Sequence, residues 1–383
     1  MISGEHRKHP KLARPKLGNF GRNEWAFVGA PCGTIQSLAQ QLITGLSQRF
    51  QCAYLDASHQ ASEMPPMLAS GASFEYTDAI QHRQLTASAD WGMYQFRNIF
   101  SECDVILVNG NHHEAAAQVV IIDPSKTDSL KRRLGQLTNV RLFLLTDENT
   151  PIFDFLKDTI PAMAAITSLK LSDTAGILAF FEREMAQNIP LLNGLVLSGG
   201  QSLRMGRDKG SIAWHGKPQR EYMVDLLRPV CHDVLLSCRP EQVADLQRVC
   251  PTIPDSFSDL GSFGAILSAF RGQPDRAWLV VACDLPLLDQ TTIEYLVASR
   301  SVKSIATAYQ STTDQLPEPL ITIWEPKAYA VMLSFLAQGY SCPRKVLINS
   351  NTRILTVPNG NALQNVNTPE DLERMAQRPE FHS

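Results

Sequence analysis

The sequence lacks any stretch approaching the roughly 20 apolar residues of a membrane-spanning helix. None of its 8 cysteines, Cys32, Cys52, Cys103, Cys231, Cys238, Cys250, Cys283 and Cys342, forms a C-x-x-C pair. A disulfide framework or a zinc site therefore has no support from spacing, and reduced core thiols in a cytoplasmic protein are expected. There is no large excess of charge of either sign. The 35 basic and 38 acidic side chains leave a formal net charge of −3, which excludes global attraction to nucleic acid or an anionic membrane. Any anion site must be built locally. The first residues, "MISGEHRKHPKLARPKLGNFGRN", are basic but carry no apolar segment, so they read as a flexible tail over residues 1–22 and not as a signal peptide.

What is present is the composition of a packed globular protein, 44% hydrophobic and 19% charged over 383 residues. That length exceeds one ordinary core, and two domains are expected. "EWAFVGAPCG" reads as a buried strand entering a tight loop, and "TIQSLAQQLITGLSQRF" has helical apolar spacing at Ile35, Leu38, Leu42 and Leu46. "CAYLDAS", "CDVILVNG", "QVVIIDP" and "RLFLLTDE" follow as strands, and the alternation predicts a parallel α/β sheet. After the helix "TAGILAFFEREMAQN" the pattern restarts with the strand and loop "LLNGLVLSGG". Domains are expected over 23–187 and 188–383. In the second, "QREYMVDLLRPVC" and "TIEYLVASR" read as helices, and "DVLLSCRP" and "AWLVVACDLP" as strands.

Three segments of the second half carry chemistry. In "LSGGQSLRMGRDKG", Gly199 and Gly200 let the backbone approach a ligand closely. Ser202, Arg204 and Lys209 add a hydroxyl and two full charges, a set suited to phosphate oxygens. In "VVACDLPLLD", Asp284 sits at a strand's C-terminal tip, where open α/β sheets hold ligands and where a carboxylate suits Mg²⁺. Asp289 is the better N-cap for the helix that follows. In "PDSFSDLGSFGAILSAF", Asp255 and Asp259 precede a glycine turn, with a helix expected from near Ala265.

The first segment resembles the signature L-x-G-G-x-S-x-R-M-G-x-D-K of the molybdenum cofactor guanylyltransferases (MobA type). The resemblance extends to "ACDLP" and "NVNTPEDLERM" and covers the second half. It implies a Rossmann-like nucleotidyltransferase that joins the GMP part of GTP to the phosphate of molybdopterin and releases pyrophosphate. By the same resemblance, Leu197, Ser198, Gly199 and Gly200 hold the base and ribose, and Ser202, Arg204 and Lys209 attend the triphosphate. Asp255 contacts the nucleotide, Asp284 binds Mg²⁺, and Asn365 and Asn367 line the acceptor side. Arg204, Lys209 and Asp284 are the catalytic set. The implied partners are GTP and molybdopterin, with other proteins of cofactor assembly or recipient molybdoenzymes beyond them. Phosphoryl transfer needs positioning and charge compensation more than a strong base, so the lack of an obvious His or Ser dyad is no obstacle.

Other readings stay open: a CTP-dependent molybdopterin cytidylyltransferase, transfer to another phosphorylated acceptor, or a non-catalytic molybdopterin carrier. "SGG" and "DK" favour the guanylyl type over "AAG" and "PK". One departure is the segment Gly261-Ser262-Phe263-Gly264-Ala265, where the family has G-P-[LM]-x-G.

The first half, at "FVGAPCGTIQSLAQQL", resembles the P-loop start of MobB-type proteins. Gly29, Gly33 and Thr34 remain, but no lysine follows, and Asn109 stands where that family has an acid. The resemblance implies a degenerate P-loop α/β domain without GTP hydrolysis. His112, His113 and Glu114, with His59, suggest a metal cluster, but a solvated loop is the preferred reading.

Overall fold

The computed structural model describes residues 17–58, 63–147, 149–160, 162–199 and 208–381. The chain divides into two compact units, Lys16–Asn188 and Ile189–Ser383.

The strands of the first unit are β1 (Glu24–Val28), β2 (Cys52–Leu55), β3 (Phe74–Asp78), β4 (Arg83–Ala87), β5 (Val105–Asn109), β6 (Ala117–Ile122), β7 (Val140–Leu145) and β8 (Thr167–Lys170). Six of them form one sheet in the order β2-β5-β1-β6-β7-β8, and every pairing in it is parallel. β1, β5 and β6 are buried along their whole length. Their apolar sequences are what a parallel sheet covered on both faces requires. The helix Cys32–Leu46 buries Ile35, Leu38, Ala39, Leu42 and Leu46, which lie on one stripe at the helical period. The helix Thr174–Gln187 starts at Asp173, whose side chain accepts the Gly176 N–H at 2.9 Å, and it buries Phe180 and Phe181. Trp25 on β1 meets the Phe181 ring with centroids 4.9 Å apart. β3 and β4 form an antiparallel hairpin that leaves Phe74, Tyr76 and Leu85 exposed.

The expected tail extends too far at its inner end. Glu24 is 2% exposed, and its carboxylate accepts N–H bonds from Asn19 at 2.8 Å, Phe20 at 2.7 Å and Ala116 at 2.8 Å. A buried carboxylate needs such donors, so they fold residues 18–22 onto the unit, and Phe20 is buried beside Phe96.

The second unit contains β9 (Leu192–Leu197), β10 (Val234–Cys238), β11 (Thr252–Pro254), β12 (Ala277–Ala282), β13 (Ala306–Gln310), β14 (Pro317–Trp324) and β15 (Thr352–Leu355). They form one sheet in the order β11-β10-β9-β12-β14-β13-β15. The β11 to β12 portion is parallel, whereas β14 runs antiparallel to both β12 and β13. Met223, Val224, Leu227, Ile293 and Leu296 pack into one buried cluster with the sheet. Phe263, Ile266, Leu267 and Phe270 pack into another with Trp278 and Trp324. Asp289 caps the helix Gln290–Ala298, accepting the Thr292 N–H at 2.7 Å. The helix expected from near Ala265 begins earlier, as Gly261–Gly272. Phe263 and Gly264 are drawn into it because both are buried against the sheet, and packing overrides the glycine and serine content of that turn.

Candidate functional site

Register places the site. Leu197, the last residue of β9, pairs with Ser237 of β10 on one side and with Ala282, the last residue of β12, on the other. Cys238 in turn pairs with Pro254 of β11. The residues that follow these strand ends therefore converge: Ser198 and Gly199, Arg239, Asp255, then Cys283 and Asp284. With Asp208, Lys209 and the first turn of the helix Gly261–Gly272, they line a cavity of about 670 Å³. It lies at the C-terminal edge of the parallel strands, at the point where strand order reverses, with β10 and β11 on one side of β9 and β12 on the other.

At the floor, Ser198 is 3% exposed and its N–H donates to the Ser237 carbonyl at 3.0 Å. Its Oγ is buried without a hydrogen-bond partner among the described residues. Such a group is costly unless something enters to satisfy it. A Cβ added to Gly199 would lie 3.3 Å from the Arg239 nitrogen, so glycine keeps the loop against β10. Gly200, Ser202 and Arg204 lie outside the described residues, as does His59.

Asp208 and Lys209 of the same segment have separate jobs. Asp208 accepts the Gly210 N–H at 2.9 Å and pairs with Arg220, whose Nε donates to the Gly210 carbonyl at 3.0 Å. The buried Arg220 thus pins the turn that aims Lys209. Lys209 Nζ donates to Asn367 Oδ1 at 2.7 Å and stands 3.4 Å from Asp284 Oδ2. Burial pushes the Asp284 carboxyl above its ordinary value, and Lys209 partly offsets this. Asn367 reaches the site because the N–H of its buried neighbour Val366 donates to the Asp284 carbonyl at 2.9 Å. Asn365 and Asn367 flank Val366, both are exposed and neither lines the cavity; Asn367 is joined to the site by its bond from Lys209.

Ser237 and Arg239 face the cavity although sequence reasoning passed over them. Their signal was the strand "DVLLSCRP", whose last positions must reach the same edge as Leu197. Ser237 Oγ donates to Asp255 Oδ1 at 3.1 Å. Asp255 is pushed upward by burial, with the Ser237 hydrogen bond opposing. Asp259 has φ of +62° and lines the cavity beside Gly261 and Ser262. The helix that starts there has no side-chain cap, so its first N–H groups favour an anion.

Asp208, Glu241, Asp255, Asp259 and Asp284 line the described cavity against two cations, Lys209 and Arg239. A polyanion entering this space would need to bring a cation of its own. Asp284, a strand-tip carboxylate open to phosphate oxygens, fits Mg²⁺, which binds through one or two carboxylates plus substrate oxygens and water.

The raised Asp255 has a stability consequence. Its neutral form is favoured in the fold, so the stabilisation is complete below about pH 4 and is lost as pH rises through the raised value. Asp255→Asn is expected to melt about 1–3 °C higher than the parent at pH 7, with the gap closing toward pH 4. Thermal unfolding of the ligand-free protein at both pH values checks it, and a lower melting point at pH 7 would contradict it.

In the first unit His112, His113 and Glu114 do not come together around an ion. No group of three or more His, Cys, Asp or Glu side chains among the described residues could hold a metal. His113 packs edge-on to Phe20. Nor is any helix among the described residues long and apolar enough to cross a membrane.

Comparison with known proteins gives four findings. Residues 194–353 match the family model of the MobA-like NTP transferase domain. The chain is 36% identical over 182 residues to a molybdenum cofactor biosynthesis bifunctional protein of Synechocystis, which covers 47% of this chain but only 52% of that relative. The chain thus spans about half the length of that relative. It is 31% identical over 191 residues to a molybdenum cofactor guanylyltransferase of Xanthomonas euvesicatoria, covering 48% of this chain and 93% of the relative. Among solved structures, molybdopterin-guanine dinucleotide biosynthesis protein A of Archaeoglobus fulgidus superposes with a TM-score of 0.41 at 24% identity, over 48% of this chain and 96% of that one.

Proposed function

The chain belongs to the molybdenum cofactor guanylyltransferase family, and from that premise we propose that its second unit transfers GMP from GTP to the phosphate of molybdopterin. An acceptor phosphate oxygen forms a bond to the α-phosphorus of GTP. The bond from that phosphorus to the bridging oxygen breaks, and pyrophosphate leaves with the electron pair. The acceptor is a phosphate monoester, already largely ionised near pH 7, so no strong base is required.

The observation that carries this reading is the corner where Lys209 meets both Asp284 and Asn367 at the tips of β9 and β12. Ser198 and Gly199 lie under the nucleoside, and the unpartnered Ser198 hydroxyl is the group a ligand would satisfy. Lys209 turns from Asp284 to the phosphates when the nucleotide arrives. Asp284 is the residue that would hold Mg²⁺, which would supply charge compensation to the triphosphate. Asp255 and the uncapped start of the helix Gly261–Gly272 line the cavity that would take the nucleotide, and Asn367, bonded to Lys209, would serve the acceptor. Arg204 completes the cationic set by family resemblance.

The first unit acts as a degenerate MobB-type domain without GTP hydrolysis. The chain between Val28 and the helix at Cys32 is only Gly29, Ala30 and Pro31. Pro31 has no N–H to offer a phosphate, and no lysine follows the second glycine.

The deciding assay follows pyrophosphate release from γ-labelled GTP with Mg²⁺ and molybdopterin, with CTP and ATP in parallel. GTP-selective, molybdopterin-dependent release supports the proposal. CTP selectivity points to the cytidylyl reaction, and molybdopterin binding without release from any nucleotide points to a carrier. Asp284→Asn is expected to raise the Mg²⁺ concentration for half-maximal rate by about tenfold or more, the loss of one charged ligand costing at least about 1.4 kcal/mol. An unchanged Mg²⁺ titration would remove Asp284 from the metal.

A further inference from the structure

Cys32 is the first residue of the 15-residue helix that follows β1. Its Sγ lies 3.4 Å from His112 Nε2, and the same nitrogen is 3.8 Å from Asp56 Oδ1. Asp56 follows the end of β2 and His112 follows the end of β5, so the three side chains come from the adjacent tips of β1, β5 and β2.

The surroundings fix the carboxylate. Asp56 accepts from the Tyr54 hydroxyl at 2.6 Å, the Ala57 N–H at 2.8 Å and Asn109 Nδ2 at 2.8 Å. Burial pushes Asp56 upward, but these bonds and the His112 ring together hold it below its ordinary value. Asn109 is the residue that stands where a P-loop relative has an acid. Here its amide props the carboxylate instead. Asn111 ties its loop to the turn after β1, its Nδ2 donating to the Ala30 carbonyl at 2.9 Å, and the His112 backbone N–H donates to the Asn109 carbonyl at 3.0 Å. Cys32 is half-buried, whereas Cys238, Cys250 and Cys283 are buried and Cys342 is exposed.

A nucleophile with a base within reach makes an activated thiol, and Asp56, 3.8 Å from the same ring nitrogen, sets a negative charge beside the imidazolium that forms. The start of a helix further favours negative charge developing on sulfur. We propose that Cys32 is a reactive-thiol modification site of the first unit, with His112 as its base and Asp56 as the negative charge that stabilises the protonated ring, and that its substrates are small disulfides. Cys32 Sγ attacks one sulfur of the disulfide, and a new Cys32–S–S–R bond forms. The original S–S bond breaks, and its electron pair leaves on the second sulfur. His112 Nε2 takes the thiol proton as Sγ attacks and returns it to the departing thiolate. The imidazolium formed between these steps faces Asp56. The disulfide is the oxidant, reduced by one thiol as Cys32 is oxidised, so the step needs nothing else.

The test uses the full chain and glutathione disulfide at pH 7, with modified cysteines located by peptide mass spectrometry over time. Exposure alone ranks Cys342 first. The proposal requires Cys32 to be modified at least tenfold faster than Cys342. His112→Ala is expected to slow Cys32 by tenfold or more at pH 7 while leaving Cys342 unchanged. The deficit should close near pH 9, where an ordinary thiol, with pKa about 8.5, ionises unaided. Recovery with pH separates a base from a merely structural side chain. Modification of Cys342 ahead of Cys32 in the unaltered protein overturns the proposal without recourse to a variant. So does an equal Cys32 rate in His112→Ala, or a deficit that persists at pH 9.

Discussion

Lys209→Ala is expected to lower nucleotidyl transfer by about 10²–10³-fold, the cost of deleting one preorganised charge partner. The side chain is the cationic member of a corner that otherwise holds Asp284 Oδ2 at 3.4 Å and Asn367 Oδ1 at 2.7 Å. Two effects follow from its loss. The phosphates lose a positive charge, and Asp284 loses the neighbour that offsets its burial. With Lys209 gone, Asp284 is pushed further upward and stays protonated to higher pH. The acid limb of the pH–rate profile should therefore move to higher pH in the variant, and the Mg²⁺ requirement should rise. Steady-state rates across pH and Mg²⁺ concentration check both. Turnover within threefold of the parent would remove Lys209 from the reaction.

The second large effect concerns the segment that departs from the family pattern. Gly264→Val is expected to destabilise the second unit by about 3 kcal/mol, the upper range for forcing extra atoms into a packed core. For a unit of this size that corresponds to a melting point lower by about 6–12 °C. A Cβ at Gly264 would lie 2.3 Å from the Phe257 carbonyl oxygen, a backbone atom, and 3.1 Å from Leu260 Cβ. The chain cannot yield easily there, because Ser268 Oγ donates to the Gly264 carbonyl at 2.7 Å and accepts the Ser256 N–H at 2.9 Å. The displaced residues would be those that carry Asp255 and Asp259 to the cavity, so activity should fall with stability. Gly272→Ala, where an added Cβ meets nothing within 4 Å, is the control and should change stability by less than about 1 kcal/mol. A Gly264→Val protein that melts with the parent would show that Phe257 moves aside freely.

Much of the frame could be read from residue order. β9 and β12 announced themselves as apolar runs, and each ends at chemistry, Ser198 in one case and Asp284 in the other. What escaped depends on distant pairing. Ser237 and Arg239 join the site because β10 aligns Ser237 with Leu197, a register that no local pattern encodes. Nothing in the helical segment "QREYMVDLLRPVC" marks Arg220, yet it is buried against Asp208. The hairpin β3–β4 gave little signal because its apolar residues, Phe74, Tyr76 and Leu85, face outward, so alternation did not mark a core face. Asn365 and Asn367 looked equivalent, but the buried Val366 between them turns only Asn367 toward Lys209. Cys32, Asp56 and His112 are scattered along the first unit, and only the parallel order of β2, β5 and β1 brings them together.

The strand order also sets a timetable for synthesis. The first unit has all its strands once Lys170 has been made, and domains made first can fold first. The second sheet must wait for β15, Thr352–Leu355, to pair with β13. Its reactive corner waits longer still, for Val366 to tie the chain to Asp284 and for Asn367 to reach Lys209. A nascent chain on the ribosome thus carries a folded first unit while Lys209 and Asp284 face each other without their third partner. The candidate site is assembled across its whole unit, and the contact that closes it, at Asn367, is translated after every strand of its sheet.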